Sequence, residues 1–325
     1  MSQKRPDPHH YMDIPSLGPL ETVGCMLCGG AETATVTTQH WFGEEFHVVR
    51  CVRCHLMFTN PRPSPQWKTH YYDPRYNPLM EDLNREFLYL PMQDRILAFR
   101  HLLQFIKNHL GPGGTLLDVG CAGGQFVHMA REQGFAATGL DPSPGALAYA
   151  SEHYGLKLIL GEAEHMPVPD HTYDVVTLLH VLEHFRNPLD VLREIRRILK
   201  PGGTLFVETP NCLRFYLLER YLPVLKWAFL RLPHRLGSAG TREIPWYPFD
   251  HYYHWTRGTL MTALRRSGFE KCRTYIVDNF ASSMPAQGAF PFYHKMYMHL
   301  VKSLYAISRQ RLNVWGLLIA TCTAP

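Results

Sequence analysis

The order of apolar and polar positions changes near residue 113. After that point, apolar runs of strand length cover residues 115–119, 137–140, 156–160, 173–179, 204–208, 269–277 and 314–323. Amphipathic segments with helical spacing cover residues 125–133, 144–153, 189–199 and 257–267. Strands that alternate with helices predict βαβ units, and the right-handed crossover of such units predicts a doubly wound, Rossmann-like α/β domain.

The residues before 113 follow a different pattern. Residues 33–38 and 46–49 form a β-prone hairpin candidate, whereas residues 82–110 have helical spacing interrupted at Pro91. The proline-rich segment 59–65 marks a boundary between them. These features predict four regions: a flexible tail (1–24), a cysteine module (25–72), a helical connector (73–112) and the α/β domain (113–325), with insertions at about 211–250 and 281–311.

Composition and charge narrow the class of protein. An apolar fraction of 46% is enough for a large core, and charges interrupt the apolar stretches before they reach membrane-spanning length. The N-terminus lacks the apolar region of an export signal, and eight cysteines in 325 residues are too dilute for a disulfide scaffold. We therefore expect a protein of the reducing cytoplasm.

The two predicted insertions are rich in apolar residues, and their charged residues are mostly basic. Residues 213–231 are apolar nearly all round with mostly cationic breaks, and no carboxylate side chain occurs from residue 279 to residue 325. The first insertion fits either a helical lid over the acceptor side or an interfacial segment that reaches lipid, at the inner face of the membrane. The basic residues are sparse rather than clustered, which disfavours nucleic acid as a partner.

Two C-x-x-C pairs precede the α/β domain, and they consist of Cys25, Cys28, Cys51 and Cys54. Four thiolates at this spacing suit tetrahedral Zn²⁺, and a complete shell of cysteines leaves no open position for catalysis. The pattern predicts a small zinc ribbon whose metal is structural. Two disulfides or four free thiols are the alternatives.

A glycine-rich loop follows the first strand of the α/β domain. Asp118 precedes Gly120 and Gly123, and Asp141 ends the next strand about twenty residues later. Glycines let a ligand approach the backbone, and the acid is placed to accept hydrogen bonds from ribose hydroxyls. The spacing predicts a nucleoside-containing cofactor at this edge of the sheet.

These residues resemble the class I S-adenosylmethionine-dependent methyltransferases, whose glycine loop also follows an acidic residue. The segments at 161–167, 173–176 and 199–203 resemble further motifs of that family, in the same order. The resemblance implies that S-adenosylmethionine is the cofactor. It assigns the methionine part to Asp118, Gly120 and Gly123, the ribose to Asp141, and the adenine to Glu162 and the Ala163 N–H, with Leu179 at the end of the fourth strand also lining the site. Ala122 stands where glycine is usual in this family.

Three ionisable residues follow the fourth strand: His180, Glu183 and His184. They resemble the Glu-x-x-Glu-His segment of ubiquinone-type O-methyltransferases, which is associated with a divalent cation, except that His180 replaces the first glutamate. We expect His184 to be a general base that Glu183 orients, and His180 to line the pocket; Mg²⁺ or Mn²⁺ bound by Glu183 and His184 is the alternative. His251 and His254 are further candidates for contact with the acceptor.

Together these patterns predict methyl transfer from S-adenosylmethionine to a hydroxyl of a sugar, a glycan (including a lipid-linked one) or a small metabolite. Residues 54–63 also resemble the zinc-binding front module of bacterial methyltransferases associated with sugar and glycan modification. Two alternatives stay open: an RNA methyltransferase that binds RNA through its zinc ribbon, and a scaffold that binds the cofactor without catalysis.

Overall fold

The computed structural model describes residues 18–72, 93–111, 113–212, 250–277 and 317–325, which belong to two compact units. The first unit contains residues 18–72 and 250–254, and the second contains the rest. Most of the predicted tail, the first connecting helix, nearly all of the first predicted insertion and all of the second lie outside the described residues.

The strands and helices are numbered in chain order. The strands are β1 (Leu20–Glu21), β2 (Thr33–Trp41), β3 (Glu44–Cys51), β4 (Met57–Thr59), β5 (Arg62–Pro63), β6 (Thr115–Val119), β7 (Ala136–Asp141), β8 (Ile159–Leu160), β9 (Tyr173–Leu179), β10 (Leu199–Pro210), β11 (Tyr253–His254), β12 (Glu270–Val277) and β13 (Leu317–Thr323). The helices are α1 (Pro65–Tyr72), α2 (Gln93–Leu110), α3 (Gln125–Glu132), α4 (Pro144–Tyr154), α5 (Pro188–Ile198) and α6 (Arg257–Arg266).

The first unit is built on an antiparallel sheet in the order β11-β4-β3-β2. Phe42 and Gly43 join β2 to β3. Both have positive φ (53° and 68°), as a two-residue hairpin turn of type I′ requires. The turn places Phe42 in the core, where its ring packs edge-on against Trp67 of α1 at 5.3 Å between centroids.

Two boundaries of the first unit differ from those predicted. Residues 18–24 are not a tail, because β1 pairs with β5 and the Val23 N–H donates to Asn60 Oδ1 at 2.9 Å. Residues 250–254, predicted to lead from the first insertion into the late helix of the large domain, return to the first unit, where β11 completes its sheet. Neither contact has a local sequence signal, because each joins segments far apart in the chain.

The second unit confirms the predicted doubly wound, Rossmann-like fold. Its sheet has the order β12-β13-β10-β9-β6-β7-β8, with β13 antiparallel to both neighbours and the strands from β10 to β8 parallel. Helices α2, α3 and α4 share one core, which includes Leu103, Phe126 and Ala150. Helix α5 packs against α6 and β10.

Cys272 of β12 and Cys322 of β13 are joined by a disulfide. The sequence did not predict this pair, since 50 residues separate the two cysteines and only the antiparallel pairing of the strands brings them together. Among the described helices, none is both long and apolar enough to cross a membrane.

Candidate functional site

The carboxyl ends of four neighbouring strands, β6, β7, β9 and β10, form one edge of the large sheet. The registers pair Val119 with Leu140 and Leu178, and Leu179 with Glu208. In doubly wound proteins this edge is where ligands bind, at the point where the strand order reverses. The predicted cofactor residues therefore come together here.

The glycine loop leaves β6 in a left-handed conformation at Gly120, with φ of 73°. The Gly120 N–H donates to the Leu140 carbonyl at 2.7 Å, which ties the loop to β7. A Cβ at Gly120 would overlap Val181 Cγ1, so the position requires glycine for space as well as for φ. Gly123 is buried in the same turn, just before α3.

Asp141 organises the loop from the end of β7. Its carboxylate accepts the Ala122 N–H and the Ser143 N–H, each at 2.9 Å. Ala122 adopts a positive φ of 46° in this turn, as the glycine usual there would. Burial raises the pKa of Asp141, and the two N–H donors oppose that shift. The side chain is therefore fixed before any ligand binds.

Asp118 is buried beside the loop, where Thr177 Oγ1 donates to its Oδ1 at 2.6 Å. Burial raises the pKa of Asp118 to about 7; the Thr177 hydrogen bond opposes this shift and the charge of Asp141 adds to it. A cation that binds beside this carboxyl group would stabilise its ionised form and so lower its pKa.

The segment after β8 carries the predicted adenine contacts. Glu162 is exposed and Ala163 is buried. Burial raises the pKa of the Glu162 carboxyl, and the charges of Glu164 and Asp141 raise it further. Leu179, the last residue of β9, is half-buried opposite Glu208.

His180 lies between two carboxylates, with φ of 57°. Its Nε2 is 3.0 Å from Glu208 Oε1 and its Nδ1 is 3.7 Å from Glu183 Oε1. Burial lowers the pKa of His180, but the two glutamates outweigh it and raise the pKa to about 10. The raised pKa favours the imidazolium form of His180, which suits it to hold the two glutamates and not to accept a proton.

Glu183 and His184 follow in the same turn. Glu183 is buried and accepts a hydrogen bond from Thr209 Oγ1 at 2.9 Å. The His184 N–H donates to the Val181 carbonyl at 3.0 Å, and a His184 ring nitrogen lies within 4.8 Å of a Glu183 carboxylate oxygen. The predicted base and its predicted orienting residue are thus close neighbours.

The other two candidate histidines lie in the first unit. His254 is buried in β11, and its Nε2 is 3.4 Å from Thr59 Oγ1 of β4. The same hydroxyl donates to the His251 carbonyl at 3.0 Å. These contacts attach β11 to the sheet of the first unit, which gives His254 a structural task.

The four cysteines form a second candidate site, in the first unit. Cys25 Sγ and Cys54 Sγ are 3.3 Å apart, Cys28 Sγ and Cys51 Sγ are 3.5 Å apart, and all four sulfurs lie within 4.8 Å of one another. Sulfurs at ~2.3 Å from one tetrahedral zinc would be about 3.8 Å apart. The cluster is compatible with a zinc ribbon.

Each C-x-x-C pair forms the same knuckle. The residue after the second cysteine has a left-handed conformation in both cases, at Gly29 (φ 69°) and His55 (φ 63°). In each knuckle its N–H donates to the carbonyl of the first cysteine, at 2.7 Å for Gly29 and 3.0 Å for His55. This repeated turn directs both thiols of a pair to one side.

Three polar residues at the sheet edge were not predicted from the sequence: Thr177, Glu208 and Thr209. All three are buried or nearly so. Polar side chains within or at the end of an otherwise apolar strand were the available signal, since such groups are buried only when they have partners.

Comparison with known proteins identifies the family to which the residues of this sheet belong. Residues 92–273, more than half of the chain, match the family model described as a methyltransferase domain. The chain is 38% identical over 105 residues to a ubiquinone biosynthesis O-methyltransferase of Vibrio cholerae, a match that covers 30% of this chain and 43% of that enzyme. It is 39% identical over 138 residues to the enzyme of the same description from Pseudomonas paraeruginosa, covering 39% of this chain and 57% of that enzyme. The chain thus spans only about half the length of the curated relatives that it matches.

A solved structure shares the fold. It is the 1,6-didemethyltoxoflavin-N1-methyltransferase of Burkholderia thailandensis, with bound 1,6-didemethyltoxoflavin and S-adenosylhomocysteine. The TM-score is 0.50 at 15% identity, and the match covers 90% of this chain and 99% of that one.

Proposed function

The chain belongs to the methyltransferase-domain family, and we propose that its second unit transfers a methyl group from S-adenosylmethionine to a hydroxyl of a small metabolite. The observation that carries this proposal is the acidic sheet edge, where Asp118 and Asp141 flank the glycine loop and Glu183 and Glu208 flank His180.

The charge of this edge discriminates between cofactors. Dinucleotides carry a pyrophosphate, which a cluster of carboxylates would repel. S-adenosylmethionine instead brings a sulfonium and an ammonium group, which carboxylates attract. Asp141 fits the ribose hydroxyls because its oxygens retain lone pairs beyond those that Ala122 and Ser143 occupy. Asp118 fits the cationic end of the same ligand.

When bound, the cofactor would supply a methyl group on a good leaving group, so no covalent enzyme intermediate is needed. The chain has to align the acceptor and remove its proton. We assign the proton to His184, and we assign to Glu183 the orientation of that imidazole, since Thr209 fixes the Glu183 carboxylate. His180, as a cation, would keep Glu183 and Glu208 from repelling each other.

A hydroxyl acceptor agrees with the description of the relatives as O-methyltransferases. Within that class, a sugar or glycan is supported by the resemblance of residues 54–63 to the front modules of sugar- and glycan-associated methyltransferases. We further propose that the cysteine cluster holds one structural Zn²⁺. A divalent cation at Glu183 and His184 is the alternative to His184 as the base.

The test has two steps. Calorimetry should first show that the full chain binds S-adenosylhomocysteine, and that Asp141→Ala weakens this binding, since a hydrogen bond to a charged acceptor contributes roughly 1.5–3 kcal/mol. Labelled cofactor incubated with cell extract should then place the label in one fraction among lipid, glycan, RNA and small molecules. Label in the small-molecule or glycan fraction supports the proposal, label in RNA contradicts the acceptor class, and no binding by the wild type contradicts the cofactor.

A further inference from the structure

The segment that joins β8 to β9, residues 161–172, contains neither strand nor helix. It nevertheless carries Glu162 and Ala163, to which we assign the adenine ring. Its first end is tied to the cofactor edge, because the Gly161 N–H donates to the Asp141 carbonyl at 3.2 Å. Some other part of the protein has to fix the rest of the segment.

One ion pair on α5 does so. Arg197 donates to the Val168 carbonyl at 2.8 Å and to the Met166 carbonyl at 3.3 Å. Glu194, one turn earlier, accepts the Met166 N–H at 3.0 Å. The pair therefore contacts the backbone of the segment at three places.

The two residues also fix each other. Arg197 Nε donates to Glu194 Oε2 at 2.8 Å and Arg197 Nη2 donates to Glu194 Oε1 at 2.5 Å, which is the bidentate geometry of a guanidinium on a carboxylate. Arg197 Nη1 also donates to Asp170 Oδ1, at 2.6 Å. Both side chains are mostly shielded from solvent, with exposed fractions of 17% for Glu194 and 32% for Arg197. This shielding strengthens the pair relative to an exposed one.

The far end of the segment is held by the same helix. The His171 N–H donates to the Arg197 carbonyl at 3.0 Å and the Thr172 N–H donates to the Ile198 carbonyl at 2.8 Å. Residues 162–165, within which the His165 N–H donates to the Glu162 carbonyl at 3.3 Å, thus lie between a contact to β7 and contacts to α5.

We propose that Glu194 and Arg197 are positioning residues that hold the 162–165 segment in place for the adenine ring, and so set the affinity for the cofactor without taking part in methyl transfer. This inference rests on the proposed function. It gives helix α5 a role in the affinity for the cofactor, because a conformation of the segment in which Ala163 is displaced would be unable to bind the adenine ring.

The helix provides a matched control. Arg193, one turn before Arg197, pairs with Asp190 in the same i, i+3 arrangement, but both side chains are more than half exposed. Arg193→Met and Arg197→Met remove the same charge from the same helix. We expect Arg197→Met to raise the Kd for S-adenosylhomocysteine about tenfold, as when a loop keeps its binding conformation only about a tenth of the time. Arg193→Met should leave the Kd unchanged.

Three further readouts separate positioning from general stability. Arg197→Met should raise the KM for S-adenosylmethionine and leave kcat unchanged, and it should speed amide hydrogen exchange at Met166. It should also reduce the preference for adenine over hypoxanthine, measured with S-inosylhomocysteine. Arg197→Lys should recover only part of the affinity, because an ammonium group cannot span two carbonyls and a carboxylate in the same geometry.

The outcomes are distinguishable. If the wild type binds S-adenosylhomocysteine and Arg197→Met binds it equally well, the inference is wrong and the proposed function stands. If the wild type does not bind, the proposed function fails. Should Arg197→Met fail to fold, Glu194→Gln decides, because it keeps an acceptor for the Met166 N–H and loses only the charge; unchanged affinity and unchanged exchange at Met166 would then overturn the inference.

Discussion

The buried carboxyl of Asp118 makes the stability of the folded protein depend on pH. Its pKa is about 7 in the folded protein, raised first by burial, against an ordinary value near 3.8. Between these values the folded state holds a proton that the unfolded state has lost. The free energy of unfolding therefore falls as pH rises from about 4 to about 7.

Asp118→Asn should remove this dependence. The amide can still accept from Thr177 and carries no charge, so the free energy of unfolding at pH 8 should exceed that of the wild type, while the two proteins should converge near pH 4. The same change should weaken S-adenosylmethionine binding roughly tenfold or more, because the cation loses its partner. Urea unfolding at several pH values and calorimetry measure both effects.

The control is Asp190→Asn, which changes an exposed carboxyl on α5 and should alter neither quantity. A wild-type affinity for S-adenosylmethionine that stays constant from pH 5 to pH 8 would show that Asp118 does not pair with the cofactor.

His184 is the residue on which the proposed chemistry depends. A sugar or metabolite hydroxyl is too weak an acid to ionise unaided near neutral pH, so its proton needs a base or a nearby cation. His184→Ala should leave S-adenosylhomocysteine binding nearly intact and lower turnover by roughly 10²–10⁴-fold. His153→Ala, at an exposed position on α4, should change neither.

Chelation distinguishes the two versions of this step. If chelation abolishes turnover, Mg²⁺ or Mn²⁺ restores it and the cysteine-bound zinc stays in place, then a cation rather than the imidazole acidifies the acceptor. If His184→Ala turns over the true acceptor at the wild-type rate, neither version holds at this residue.

Single residues differed in how far the sequence predicted them. Asp118 and Asp141 stand at strand ends beside glycines, a local signal that the fold then brings together. No local pattern in the sequence indicated the charge of His180, since that charge depends on Glu208, which lies on another strand 28 residues later in the chain. Local spacing predicts which side chains reach the edge, but the charge of each one depends on its neighbours across the sheet.

At the scale of elements, the close packing of the glycine loop can be measured by comparing the same substitution at two glycines. Gly120 and Gly134 both have positive φ, 73° and 90°. A Cβ at Gly120 would overlap Val181, whereas at Gly134 no described atom lies within 4 Å of that position. Both Gly→Ala changes carry the strain of a left-handed residue, about 1–2 kcal/mol. Gly120→Ala should cost more than Gly134→Ala, and the difference measures the contact.

Val181→Ala provides the check. In the Gly120→Ala background it should recover part of the lost free energy of unfolding, measured by urea denaturation, because it removes the overlapping methyl groups. Equal costs for Gly120→Ala and Gly134→Ala would mean that the loop moves away from Val181 without penalty.

The strands show where an apolar pattern is sufficient to predict the bounds of an element. Residues 115–119 and 173–179 form strands with the predicted bounds, because they are mostly buried and pair directly with each other inside the sheet. The predicted strand 156–160 shrinks to Ile159–Leu160. Gly155 ends α4 in a left-handed conformation, and the Leu156 N–H donates back to the Ala150 carbonyl at 3.2 Å, so Leu156 completes the end of the helix instead.

At the scale of the whole molecule, the two candidate sites belong to different units. The cysteine cluster lies in the first unit, and the residues assigned to the cofactor lie in the second, which has its own sheet and core. The sequence could not assign residues 250–254 to the first unit, because the pairing of β11 with β4 joins positions almost 200 residues apart.

This division predicts that zinc removal separates structure from cofactor binding. Purified protein should carry about one zinc per chain, and Cys25→Ser or Cys54→Ser should abolish it, since the site needs four thiolates. Without the metal, the two knuckles lose the bond that holds β3 and the 25–28 turn together, so the first unit should exchange its amide hydrogens faster. The second unit should keep its exchange pattern and its affinity for S-adenosylhomocysteine, because Asp118 and Asp141 make their hydrogen bonds within it. Cys212→Ser, a change at a buried cysteine outside the cluster, is the control and should leave the zinc content at one per chain.

Two results would contradict this prediction in different ways. A wild-type protein that contains no zinc and unfolds at the same temperature with and without a chelator would contradict the metal assignment. Loss of S-adenosylhomocysteine binding together with zinc would show that the cofactor site depends on the first unit.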